Sequence, residues 1–342
     1  MKRKLLFGGG IVTIILSVLL IIVGYYHTNS IKVNASLKDN ISIMYTDKDY
    51  KTTYSVYDTY NKTIKNVFSR KSKGYSDFSV HEIDNTIYYS ERGDKKYNIY
   101  KADLSAQDKE ATRMLEDDYS GDIFDINNDK IIFRTPTKNR KSETLGVYSL
   151  KDKTTQIWNN EDNDVLIFNF YWDKYNHKIY TIERSLKEME TSLTQPPTHK
   201  IFRYDENGEN KQLLYSTNKD INDISVNKEG NKIIFDGITL ENDTPVNRIY
   251  LLNLNDNTEQ ILVEPSSKFD DINITAAKIP KFSLNGNGFY FLATTPESEV
   301  IEELEGSTPI MSKAMCYYDF DSKKVNIIFE DRTVVINEFK IS

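Results

Sequence analysis

Carboxylates are the residues of this chain best placed to do chemistry. Glu82, Asp122, Asp125, Asp223 and Asp271 each fall on or beside a short run of strand-forming residues. If those runs gather around one axis, the acids that alternate inward converge there and offer oxygen ligands to a cation. Other chemistry finds less support. The nearest approach to a calcium loop, Asp125-Ile126-Asn127-Asn128-Asp129, lacks the downstream glycine and the closing Glu. It reads better as a turn whose Asx side chains bond their own backbone. The four histidines, His27, His81, His177 and His199, include no pair at ligand spacing, which argues against zinc. Cys316 is the single cysteine, so no intramolecular disulfide forms, and it reads as a small core residue of a strand. No nucleophile elbow, phosphate loop or Gly-rich dinucleotide turn is present, so no catalytic, cofactor or metal residue is assigned.

The elements that position these residues follow from composition. Of 342 residues, 12% are aromatic, with 23 Tyr, and Ile, Val, Phe and Thr fill the apolar runs while Ala and Leu are scarce, which is a strand bias. A formal net charge of -7 argues against a nucleic-acid partner, because phosphate binding requires a basic face.

The chain opens with Met1-Lys2-Arg3-Lys4, followed by an apolar stretch over residues 5–26 with no charge before Lys32. About twenty such residues at 1.5 Å rise span a hydrocarbon core of roughly 30 Å. The basic residues ahead of the stretch keep the N-terminus in the cytoplasm and export the rest, with Tyr25 and Tyr26 at the far interface. The expectation is a single-pass transmembrane signal-anchor helix over 5–26, a cytoplasmic tail over 1–4 and a linker over 27–38. A cleaved secretory signal competes, since Val33-Asn34-Ala35 offers small residues ahead of Ser36.

Beyond the linker, Ile-, Tyr- and Phe-rich strands recur at residues 41–45, 87–90, 131–134, 179–182, 233–236 and 289–292, about 44 to 56 residues apart. Each is followed by two more strand signals, and each after the first is preceded by another. Four antiparallel strands per unit at this period make a propeller blade, and six units make a ring. The first unit lacks its leading strand, and an alternating strand is left over after the sixth, from Arg332 to Ile341. Placing the surplus strand in the first blade closes the ring and removes an open edge.

The segments Val226-Asn227-Lys228-Glu229-Gly230-Asn231-Lys232-Ile233-Ile234-Phe235 and Ser283-Leu284-Asn285-Gly286-Asn287-Gly288-Phe289-Tyr290 carry a turn, an apolar strand and their spacing. In these the chain resembles the TolB-like six-bladed β-propeller domain family, although no Ser-Pro-Asp-Gly turn is intact. The resemblance covers residues 39–342. It implies an all-β propeller of four-stranded blades and carries almost nothing about activity.

Antiparallel order puts the loops between second and third strands on the same face as the connections between blades, and these are the long ones. Loops held by a rigid scaffold are where binding resides. Two insertions mark that face. Residues 185–198 end in Gln195-Pro196-Pro197, a stiff extended turn. Residues 296–313 carry Glu297, Glu299, Glu302, Glu303 and Glu305, with Val300, Ile301 and Leu304 at helical spacing, which predicts a short amphipathic helix on the rim. Phe170-Tyr171-Trp172 on an inner strand is read either as a channel lining for a sugar or peptide or as packing between blades. The candidate binding face is therefore Glu297, Glu299, Glu302, Glu303, Glu305, Pro196, Pro197, Tyr171 and Trp172.

Three functions compete. One is a non-catalytic envelope module that binds a protein, peptide or glycan. The others are a metal-dependent hydrolase or lactonase working in the tunnel, and an accessory subunit of a membrane complex.

Overall fold

A computed structural model describes the chain from Asp39 to Ile341, apart from residues 73–79, 84, 94–95, 106–110, 116–118, 128, 139–140, 159–161, 163, 192–196 and 304–307. The expected anchor over 5–26 lies outside the described residues, as do Pro196 and Glu305. No helix among the described residues is long and apolar enough to cross a membrane.

The described chain forms a six-bladed β-propeller of four-stranded antiparallel sheets. Blade 1 orders Val334–Ile341, Asn40–Asp47, Lys51–Asp58 and Thr63–Lys71 from the centre outward. The innermost strands of blades 2 to 6 are Val80–Ile83, Phe124–Asn127, Val165–Asp173, Asp220–Val226 and Ala276–Phe282. With four antiparallel strands per blade, every inner strand runs the same way, from the long-loop face to the face of tight turns. Those tight turns hold left-handed residues at Asn85, His177, Gly230 and Gly286, with φ from 54° to 84° across the set that includes Gly208. Asn and Gly tolerate that conformation best, which is why they punctuate the repeat.

The last strand closes the ring as the repeat count predicts. Ile341 pairs with Ile41 and Val334 with Asp47, antiparallel throughout. A buried polar chain then crosses the whole blade. Asn337 Nδ2 donates to Thr46 Oγ1 at 2.7 Å, Thr46 and Thr52 hydroxyls meet at 2.8 Å, and Thr52 donates to Ser72 Oγ at 3.0 Å. Thr46→Val keeps the shape and removes the central link, leaving the Asn337 amide without this acceptor inside the blade. The expected cost is about 1–3 kcal/mol by chemical denaturation. A loss below about 0.5 kcal/mol, within the range of an ordinary surface change, would show that the chain stabilises nothing.

Among the described residues the core is divided into apolar layers between neighbouring blades. Met44, Tyr54 and Phe68 of blade 1 pack on Ile87 and Tyr89 of blade 2. Ile182 and Ile201 of blade 4 pack on Ile224 and Phe235 of blade 5. Ile249 and Val263 of blade 5 meet Phe289, Phe291 and Cys316 of blade 6. Cys316 is thus a buried core residue, as its neighbours in sequence imply. The seam between blades 6 and 1 is tied by Tyr290, whose hydroxyl donates to Asp39 Oδ2 at 3.0 Å.

One of the two insertions folds otherwise than expected. Within 296–313 the described residues form a β-hairpin, Val300–Glu302 against Ile310–Met311, and not the amphipathic helix that the Val300, Ile301 and Leu304 spacing predicts. The helix lies instead in the other insertion, as the single turn and a half α1 (Leu186–Thr191). Helical spacing over so short a segment is a weak preference that strand pairing overrides.

Candidate functional site

The six inner strands enclose a central channel with a volume of about 1340 Å³. Four of them are bulged at its wall. Phe168, Asn222 and Asn337 are each the extra residue opposite a continuous partner strand, and Ile279-Pro280 together face one residue. A bulge turns the local side chain off the regular alternation, and Phe168, Asn222, Ile279 and Asn337 all line the channel. Ile279 is also strained. It is β-branched, precedes proline and sits at φ 53°, a left-handed conformation that such residues rarely adopt.

Glu82, Asp122, Asp125 and Asp223 line this channel, so four of the five carboxylates gather as the repeat implies. Asp271 does not: it is exposed at a turn joining Lys268–Phe269 to Ile272–Asn273, a hairpin between blades 5 and 6. The acids that gather also meet bases. Asp125 Oδ1 lies 2.9 Å from Lys174 Nζ, 3.2 Å from His81 Nε2 and 3.7 Å from Lys340 Nζ. Burial opposes its ionisation, but Lys340, Lys174 and His81 outweigh that and hold its carboxyl well below the usual range. Burial, with the Lys340 charge beside it, pushes the His81 imidazole well down, so this histidine is neutral at pH 7. Asp122 is paired with Arg134, whose Nε donates to Oδ1 at 3.1 Å and which also donates to the Phe168 carbonyl. Lys281 faces Glu338 at 3.7 Å.

Among the described residues no three His, Cys, Asp or Glu side chains are grouped to share a metal ion. Asp122 and Asp125 are charge-paired instead, Asp122 with Arg134 of its own blade and Asp125 with Lys174 and Lys340 brought in from blades 4 and 1. His177 is an exposed turn residue 3.2 Å from Glu206. His199 is buried beside the channel wall, its Nδ1 accepting the Ile221 N–H at 2.8 Å. His27 lies outside the described residues.

One acid stands apart. Asp236, on the second strand of blade 5 opposite Asp223, is 0% exposed yet lines the channel. Its Oδ1 accepts the Asp223 N–H at 2.7 Å, and its Oδ2 has no hydrogen-bond partner. Burial first, and then the Asp223 charge, push its carboxyl up to about 8. The sequence does hold a signal for it: an Asp within Ile233-Ile234-Phe235-Asp236-Gly237-Ile238, where every neighbour belongs to a buried strand.

The sequence-based binding face is not one surface. Inner strands end at the tight-turn face, so Tyr171 and Trp172 lie toward the end opposite the insertions. Trp172 is 4% exposed, packed between blades 3 and 4, and donates from Nε1 to Glu206 at 2.7 Å. Tyr171 is half-buried on the channel wall. At the long-loop face, Glu297, Glu299 and Glu303 are exposed, whereas Glu302 accepts a 2.9 Å hydrogen bond from Tyr50 of blade 1. Pro197 is half-buried beside Thr198, whose N–H donates to Glu188 of α1 at 2.7 Å.

No protein-family model matches the sequence. An uncharacterized protein of Bacillus subtilis, YdjN, is 22% identical over 332 residues, covering 92% of this chain and 91% of that protein. Among solved structures, TolB from Acinetobacter baumannii superposes with a TM-score of 0.57 at 14% identity, over 93% of this chain and 69% of that one. A putative TolB from Agrobacterium tumefaciens gives 0.54 at 11% identity, over 87% and 92%. The chain shares the six-bladed β-propeller fold of these structures. Hydrazine synthase from Kuenenia stuttgartiensis gives 0.58 at 8% identity, over 89% of this chain and 46% of that one. The TolB-like fold thus recurs in proteins with unrelated names, and function has to be argued from the site.

Proposed function

We propose that this chain is a membrane-tethered propeller, displayed outside the cytoplasm, that binds an envelope protein or peptide through its long-loop face and performs no catalysis. The observation that carries this reading is the hairpin of blade 6. It is pinned to blade 1 through Glu302 and Tyr50 and to its own strands through Ser312, which exchanges 2.8 and 2.9 Å hydrogen bonds with Glu299. Glu297, Glu299 and Glu303 are thereby presented on a fixed, exposed edge. A pre-organised acidic rim suits a basic partner surface, and such an encounter weakens as salt rises. Commitment of Asp122 and Asp125 to Arg134, Lys174 and Lys340 supports binding over hydrolysis in the tunnel.

Crosslinking of the full chain in its own membrane, with and without residues 296–313, tests the proposal. The expected result is one adduct that disappears with the deletion and fades as ionic strength is raised. An adduct that persists after the deletion would move recognition away from this face, and one that persists without the propeller would favour an accessory role for the N-terminal segment.

A further inference from the structure

The recess where the inner strands of blades 5 and 6 meet is built for a ligand that the wall itself does not supply. Asp236 lines the channel, and its Oδ2 is buried and lacks a partner. The acceptors around it are largely in use. Asp223 Oδ1 accepts Asn169 Nδ2 at 2.9 Å, that amide also donates to the Asn222 carbonyl at 2.9 Å, and Asn169 Oδ1 accepts the Phe170 N–H at 2.8 Å. Lys278, the first residue of the strained blade 6 bulge, acts on Asp236 electrostatically but forms no ion pair among the described residues. The recess is therefore not neutralised from within.

From these groups we infer that the Asp236–Asp223 recess is a subsite for a primary ammonium group of a ligand entering the channel. A divalent cation fits poorly, because calcium takes six to eight oxygens and magnesium a near-complete octahedron, while the open acceptors here are few. An ammonium carries three donors on one compact charge and is satisfied by two or three oxygens. Asp236 Oδ2 supplies the charged acceptor, and Asn222, the bulge residue next to Asp223, also lines the channel. The Asp223 position is three residues into its strand, roughly 10 Å from the long-loop face at about 3.3 Å per residue. A side-chain amine on an extended segment, or a free N-terminus, reaches that depth. Lys278 repels a second positive charge, so the subsite favours a single ammonium over a polyamine.

Binding displaces a proton. Before binding, the Asp236 carboxyl is held protonated by burial and by Asp223, with Lys278 opposing. The ammonium keeps its own protons and takes the carboxylate as its acceptor, so the acid proton leaves to solvent. A carboxyl titrating near 8 is occupied at pH 7 about nine times in ten, so close to one proton is released per amine bound. Above pH 9 the release falls toward zero.

Calorimetry on the full-length protein in two buffers of different ionisation enthalpy reads both affinity and proton release. The probes are Nα-acetyl-lysine amide for a side-chain ammonium, triglycine amide for an N-terminal ammonium, doubly acetylated lysine amide as the neutral control, and calcium chloride. We expect one of the two amines to bind with release of about one proton at pH 7, and D236N to weaken it on the order of 10- to 100-fold. Which amine binds identifies the source. Failure of both amines, binding without proton release in the unmodified protein, equal affinity in D236N, or preference for calcium would each overturn the assignment.

Discussion

Ending the chain after Thr333 abolishes the folded propeller: the truncated protein is expected to lose its cooperative thermal transition and become fully open to protease. The deleted strand is the innermost of blade 1, and Val334, Val335, Ile336 and Phe339 are all buried. At about 1.5–3 kcal/mol each, their loss is on the order of 6–12 kcal/mol, comparable with the whole stability of a typical domain. The loss also uncovers Ile41, Ile43 and Met44 on Asn40–Asp47 and leaves that strand as an open edge at the channel. Asn337 leaves with it, so Thr46 at the head of the polar chain loses its donor. Restoring the missing strand as a separate peptide should recover part of the transition. A truncated protein that melts sharply within a few degrees of the full chain would mean that five blades and an incomplete sixth hold themselves together.

That closure was legible because it follows from counting: one unit was short of a strand and one strand was spare. The repeat itself was legible because Ile87, Ile131, Ile179 and Ile233 each open a run of β-branched and aromatic residues just after an Asn- or Gly-bearing turn. What was not legible is which charges meet. Asp125 stands in the third unit and Lys340 in the last strand of the repeat, and they come together only because that strand returns to blade 1. Lys174 reaches Asp125 across a blade boundary. Bulges add a second obstacle, since one extra residue reverses which side chains face inward. Simple alternation therefore misassigns positions after Phe168, Asn222 and Ile279. The 296–313 insertion failed for a different reason. Its apolar residues fit a helical stripe, but Ser312 and Tyr50 supply partners that hold it as a hairpin.

Asp236→Asn is expected to stabilise the protein, and to do so in a strongly pH-dependent way. A carboxyl whose ordinary value is 3.8 and whose folded value is about 8 binds a proton in the folded state that the unfolded chain has already released between those limits. Folding stability contributed by that proton is present at and below pH 3.8 and declines as pH rises through the window. Asparagine has no proton to lose and keeps an oxygen for the Asp223 N–H. The two proteins should therefore unfold alike near pH 4, and the variant should gain steadily up to pH 8. At 1.36 kcal/mol per unit the ceiling is about 6 kcal/mol, with part of it shared with Asp223. Denaturant unfolding of both proteins at intervals from pH 4 to 9 measures the difference directly. A difference that stays flat across that range would show that Asp236 carries no trapped proton. A buried acid that costs this much at neutral pH, with one oxygen unpartnered and a strained Ile279 lining the same channel, is what a binding subsite looks like when stability and recognition pull in opposite directions. The same substitution should then raise stability and remove ammonium binding together.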